Sequence, residues 1–254
     1  MINVLKCEMM KCFKGLALYI CMFVMIFIPL SEYSFMTISS KMQSDDESIR
    51  VLIDSFVNAN GDQIFKYLYG VLFTGGSIFV VVTVLAAIII AEDYSRGTVK
   101  YIVLLTDRNK TSIGKVCTLV IVSTIIHFVG CIVPIGISIL SRETYYGVYT
   151  MKQLILYVLL GWTIVMTYTI LVGIIGGMTK NVPATIGLGL GIYLCCMGIG
   201  IHLPESVRKF IFIMNIEKIG EQDIGRIVFS LSVCYITFFI MITILSVVLR
   251  KKEY

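Results

Sequence analysis

Between Glu92 and Lys115 the chain reads EDYSRGTVKYIVLLTDRNKTSIGK, with eight charged side chains in 24 residues. They are Glu92, Asp93, Arg96, Lys100, Asp107, Arg108, Lys110 and Lys115, and the flanking stretches 67–91 and 116–141 carry no charge. The chemistry open to such a pattern is ionic. Carboxylates at the end of one apolar helix can pair with an ammonium opening the next, or with complementary charges on a second protein. Charges set between two membrane-length apolar runs must sit in water at the bilayer surface, within reach of a soluble partner. Gly97 permits a turn that a side chain would hinder, and Thr98 is placed to N-cap a short helix over 99–105.

Other reactive arrangements are missing from the sequence. It contains no HExxH, no GxSxG and no zinc spacing such as CxxC. His127 and His202 stand alone, and His127, in a run without an acid, reads as a neutral, hydrogen-bonded packing residue. No Asp or Glu lies deep in an apolar run, which argues against a proton- or sodium-driven carrier. The Gly114-Lys115 pair is followed by Val116 and lacks the upstream glycine of a phosphate loop. Any nucleotide energy must therefore be spent by another chain, and no cofactor is expected in this one.

These charges need a membrane scaffold to position them. Hydrophobic residues make up 57% of the 254-residue chain and charged residues only 15%, against about 25% charged in soluble domains. Cutting the sequence at its charges leaves six uncharged windows: 15–31, 67–91, 116–141, 153–179, 181–204 and 227–249. Five exceed the roughly 20 residues needed to cross the hydrocarbon, and 33–35 extend the first past Glu32. The expectation is an all-α membrane protein, one domain over 1–254 with six transmembrane helices. The first window follows Lys6, Lys11 and Lys14, yet no small-x-small cleavage site follows it, so it reads as an uncleaved anchor.

With both termini inside, the inner segments hold 12 of the 21 basic residues and five of the 16 acidic ones, an inner balance of +7 against −2 outside. All eight cysteines (Cys7, Cys12, Cys21, Cys117, Cys131, Cys195, Cys196 and Cys234) fall in windows or on the inner side, so no external disulfide framework is implied. Residues 1–14 place apolar positions three to four apart with lysines between them, the pattern of a helix lying along the inner interface. In the acidic outer stretch 36–66, Ser44 with Glu47 three residues on could start a surface helix. GGMTKNVP at 176–183 reads as a tight inner turn. Gly173 with Gly177, and Gly187 with Gly191, have the spacing that lets helix backbones approach closely in lipid. Within 202–226 the apolar core 210–216 is too short to span and reads as a re-entrant or interfacial element on the outer face.

Glu92-Asp93 closing the second span, then Gly97-Thr98, an apolar turn, Arg108, and Lys115 opening the third resemble the type-2 ABC transporter permeases. The span count, the N-terminal interface helix, the charged first inner loop and the re-entrant element before the last span fit the same plan over essentially the whole chain. The order Leu105-Thr106-Asp107-Arg108 departs from it, because family members commonly carry a proline shortly before the arginine. The resemblance implies a permease subunit of an ATP-driven exporter in a bacterial cell membrane, N and C termini cytoplasmic. It also implies ATPase coupling through Glu92, Asp93, Arg96, Gly97, Thr98, Lys100, Arg108 and Lys115, with ATP and magnesium held by separate ABC ATPase subunits. A second permease copy or a sister permease would complete the pair, the lipid bilayer surrounds it, and no nucleic acid is involved. The compact single-domain form is similar to lantibiotic export or immunity permeases, so amphipathic or antimicrobial peptides are the expected cargo. Drug, glycan or sodium export belongs to the same class, and a non-transporting sensor or assembly protein is the alternative from another.

Overall fold

In a computed structural model the described residues are 2–39, 61–98, 108–140, 148–200, 202–219 and 223–251. They form helices α1 (Ile2–Lys14), α2 (Leu16–Ser39), α3 (Gly61–Thr74), α4 (Ser77–Ser95), α5 (Arg108–Leu140), α6 (Val148–Thr179), α7 (Val182–Gly200), α8 (Glu205–Arg208) and α9 (Ile224–Lys251). A 3-10 turn, η1, covers Phe212–Lys218, and no strand occurs among the described residues. Six helices (α2, α4, α5, α6, α7 and α9) are long and apolar enough to cross a membrane. The chain is an all-α, multi-pass membrane protein.

Its spans are not equally enclosed. The most apolar window of α6 is 78% buried and that of α9 only 11%. α6 is therefore the central post, touched by α4, α5, α7 and α9, while α2, α7 and α9 turn much of their surface outward. Chain direction puts the ends of α1 and α4, the start of α5, the α6–α7 turn and the end of α9 at one end of the bundle. α8, η1 and the start of α9 lie at the other.

The second span differs from the continuous window 67–91. The helix breaks at Gly75-Gly76, and only α4 crosses; residues 67–74 belong to the separate helix α3. Gly76 adopts φ 71°, and a Cβ there would come within 2.9 Å of the Tyr193 ring. A break inside a bundle strands carbonyls that lipid cannot satisfy. Here the N–H of Gly75 donates to Val71 O at 3.0 Å. Ser77 Oγ donates to Leu72 O at 3.1 Å and Tyr193 OH to Phe73 O at 3.2 Å. All three carbonyls are thus met, and Tyr193 of α7 locks the break.

The glycine expectation holds in part. A Cβ on Gly173 would approach Leu119 to 2.9 Å, and one on Gly177 would approach Val248 to 3.0 Å. Those two glycines let α6 lie close to α5 and α9. Gly187 and Gly191 are a correction: a Cβ on either meets nothing within 4 Å. The close approach on α7 falls instead on Gly189, where a Cβ would sit 2.9 Å from Thr83. Tyr168 OH donates to Gly189 O at 3.0 Å and lies 2.9 Å from Thr83 Oγ1, joining α4, α6 and α7.

His127 is buried, with Nε2 3.4 Å from Tyr69 OH and its ring edge-on to Tyr69 and Phe73, a packing role as expected. η1 buries Phe212, Ile213, Met214, Asn215 and Ile216 against α6, α7 and α9. The short apolar core at 210–216 thus tucks into the bundle end without crossing. The helix start at Ser44 and Glu47 lies outside the described residues, as do the turn and short helix at 99–105.

Candidate functional site: a charge cluster joining the N-terminal helix to the second and third spans

α4 ends in a Schellman motif. Gly97 takes φ 70°, its N–H donates to Tyr94 O at 3.1 Å, and the N–H of Thr98 donates to Asp93 O at 3.0 Å. This pair of bonds closes a helix whose next residue is left-handed, which is why a glycine stands there. The cap folds Thr98 back over the last turn, where its hydroxyl donates to Asp93 Oδ1 at 3.0 Å. The Asp93 carboxylate is thereby fixed on the side of α4 that faces α5.

Opposite it stands Lys115, on the second turn of α5. Its side chain is 2% exposed. The ammonium donates to Asp93 and to Ile89 O at 3.1 Å. Of the two arrangements open to these charges, pairing within the chain or across to a partner, Lys115 adopts the first. Two further charges complete the group. Glu8 Oε2 of α1 lies 3.8 Å from Lys115 Nζ. Lys11, one turn on, reaches Glu8 Oε1 at 3.2 Å and Asp93 Oδ2 at 3.3 Å.

The four groups alternate in sign and sum to zero. Burying an ammonium or a carboxylate costs several kcal/mol per ion unless partners and hydrogen bonds compensate it, and here each charge touches two of the opposite sign. Lys11 is the solvent-facing member at 44% exposed. Burial alone would lower its pKa, but Glu8 and Asp93 outweigh burial and hold it above the ordinary lysine value. Beside the cluster, burial first and then Glu8 push the Cys12 thiol up to about 11.

α1 is seated on α5 by close packing as well as by charge. Val4 and Glu8 share its buried face, and a Cβ on Gly114 would come within 2.9 Å of Val4 Cγ1. Glu8 and Lys11 are the members of the charge cluster that motif reading missed. One signal for Glu8 was present: it lies four residues after Val4 and four before Cys12 on the apolar stripe of α1.

The other candidates separate by exposure. Glu92 and Arg96 pair at i, i+4 on the outside of α4, with Arg96 71% exposed. Arg108 begins α5; its side chain and Lys100 lie outside the described residues. The α6–α7 turn also reaches this end, where Lys180 Nζ sits 5.5 Å above the Tyr94 ring. A buried, neutralised knot thus ties three helices together beneath an exposed ionic edge. Such an arrangement can pass a push on that edge into α1, α4 and α5 as one unit. Among known proteins, no family model matches the chain and no curated protein matches it.

Proposed function

We propose that this chain is the membrane-spanning permease subunit of an ATP-driven exporter, docking a separate ATPase at the end of the bundle where α1, α4 and α5 meet. The observation that carries the reading is the division of the Glu92–Lys115 charges. Arg96, paired with Glu92, lies outside and 71% exposed, while Asp93 and Lys115 are bound into a cluster with Glu8 and Lys11. A solvated boundary segment has no need of a buried, four-way neutralised anchor. A lever driven from outside does, because force on the loop must reach the spans without slack.

The interior supports export driven by another chain. Among the described residues, the buried polar side chains between the two bundle ends are mainly hydroxyls, together with His127 and Gln153. On this reading the α1 end is cytoplasmic in a bacterial membrane, a second copy or sister permease completes the pathway, and the cargo is an amphipathic, antimicrobial-type peptide.

The test is charge reversal at the exposed edge, Glu92→Lys with Arg96→Glu in separate variants. Each should insert and fold normally, yet lose ATP-dependent peptide resistance or efflux in cells and the ATPase activity that copurifies with the membranes. Unchanged resistance and copurified ATPase in both variants would sink the reading and favour a non-transporting membrane protein.

A further inference from the structure

α1 has two unlike sides. Val4 and Glu8 turn inward, toward α5 and the charge cluster. Lys6, Met10, Phe13 and Lys14 fall on the opposite side at helical spacing, and all four are exposed. Glu8 is the only carboxylate of α1, and Lys11 and Lys115 neutralise it. Lys6 and Lys14 pair with no carboxylate among the described residues. The outward side therefore carries two unopposed ammonium groups, with two large apolar side chains between them along the helix.

The seat of α1 decides what that side can meet. Val4 packs at Gly114, where α5 begins, and Lys11 reaches Asp93, where α4 ends. Gly15 alone joins α1 to α2, which crosses the membrane. All of α1, about 20 Å at 1.5 Å per residue, is thereby held in the layer between hydrocarbon and water. Leu16, Tyr19 and Ile20 at the start of α2 are exposed as well, so exposed apolar side chains run from α1 into the span. A soluble acidic partner would match the lysines but has no use for Met10 and Phe13 at the bilayer surface. An uncharged lipid surface would take Met10 and Phe13 but leave both ammonium charges unopposed. An anionic leaflet meets both halves of the pattern.

We propose that the outward side of α1 docks on anionic phospholipid headgroups of the leaflet at this end of the bundle. The phosphate oxygens accept from Lys6 and Lys14, whose stems lie along the interface. Met10 and Phe13 reach toward the acyl chains, as the apolar face of an interfacial helix does. Each lysine at an anionic surface strengthens such docking by a factor of about five. α1 is then held from both sides, by the buried charge cluster on one and by lipid on the other. The site needs only a bilayer around the spans, so it stands or falls apart from the exporter reading.

The experiment is amide hydrogen exchange of the full chain, purified without a partner, in nanodiscs of phosphatidylcholine with and without about one-third phosphatidylglycerol. With phosphatidylglycerol, the amides of 2–14 should exchange at least about tenfold more slowly, while those of α6 change little. Lys6→Gln combined with Lys14→Gln should remove most of that gain. Lys152→Gln, at an exposed position near the opposite end of the bundle, should leave it intact. Salt at about 1 M should also erase the gain, and inorganic phosphate added to phosphatidylcholine discs should not reproduce it. Equal exchange in the two discs would mean that apolar burial alone seats α1, or that the lysines serve a soluble partner. Reproduction by phosphate would show a free-anion site, and a gain that survives the double variant would show that these lysines are not the contact. Any of these results overturns the proposal.

Discussion

Lys115→Met removes the most enclosed charge among the described residues while keeping much of the side chain's length and apolar bulk. In the folded chain it leaves Asp93 and Glu8 with Lys11 alone, so the cluster passes from neutral to one unit negative at a position where Lys115 was 2% exposed. Two hydrogen bonds go with it, to Asp93 and to Ile89 O. Truncating one partner of a buried pair typically costs about 3–5 kcal/mol, because the remaining charge stays buried and uncompensated. For a chain of this size that is on the order of 10 °C in unfolding midpoint. The assay is thermal unfolding in detergent followed by the single tryptophan. Trp162 reports on the bundle because its Nε1 donates to Thr124 Oγ1 at 3.2 Å, bridging α6 and α5. Adding Asp93→Asn to Lys115→Met restores neutrality with the Glu8–Lys11 pair intact, and should recover half or more of the loss. A single variant within about 1 °C of the parent, or a double variant whose losses simply add, would refute the cluster as a neutralised unit.

Other outcomes follow from the same geometry. Gly189→Leu should sharply lower the yield of folded protein in detergent, whereas Gly187→Leu, with open space around it, should leave a single chain's stability nearly unchanged; size-exclusion yield separates them. Gly97→Ala must place a Cβ at φ 70° and should cost roughly 1 kcal/mol or more through backbone strain alone, read as a lower midpoint. Because the Cys12 thiol is pushed up to about 11, its thiolate fraction is small at neutral pH. Its maleimide labelling in detergent should therefore climb about tenfold per pH unit from pH 7 to 9. A plateau below pH 9 would contradict the burial and the influence of the Glu8 charge.

The spans were legible because lipid imposes one crude rule, a long run without charge, and 116–141 and 153–179 obey it plainly. The same rule hid the break at Gly75-Gly76. Hydropathy continues straight through that pair, and what stabilises the break is Tyr193, more than a hundred residues away in sequence. Glycine spacing marked α7 as a packing helix but chose the wrong face. Gly187 and Gly191 lie on one side and Gly189 on the other, and only the positions of Thr83 and Tyr168 decide which side meets the bundle. At the charge cluster, Asp93 and Lys115 stood out because they bracket a loop. Glu8 did not, because an acid in a lysine-rich helix reads as solvated until Val4, four residues before it, proves buried and Cys12, four after it, half-buried.

The central claim, an ATPase seated on the exposed edge above the cluster, is tested most directly by site-specific photocrosslinking from position 96 in native membranes, with the captured chain identified by mass spectrometry. The account predicts an adduct with a protein carrying a phosphate loop, lost when the crosslinker is moved to position 236 on the outward face of α9. A folded, abundant protein that captures no such ATPase from position 96 would contradict it.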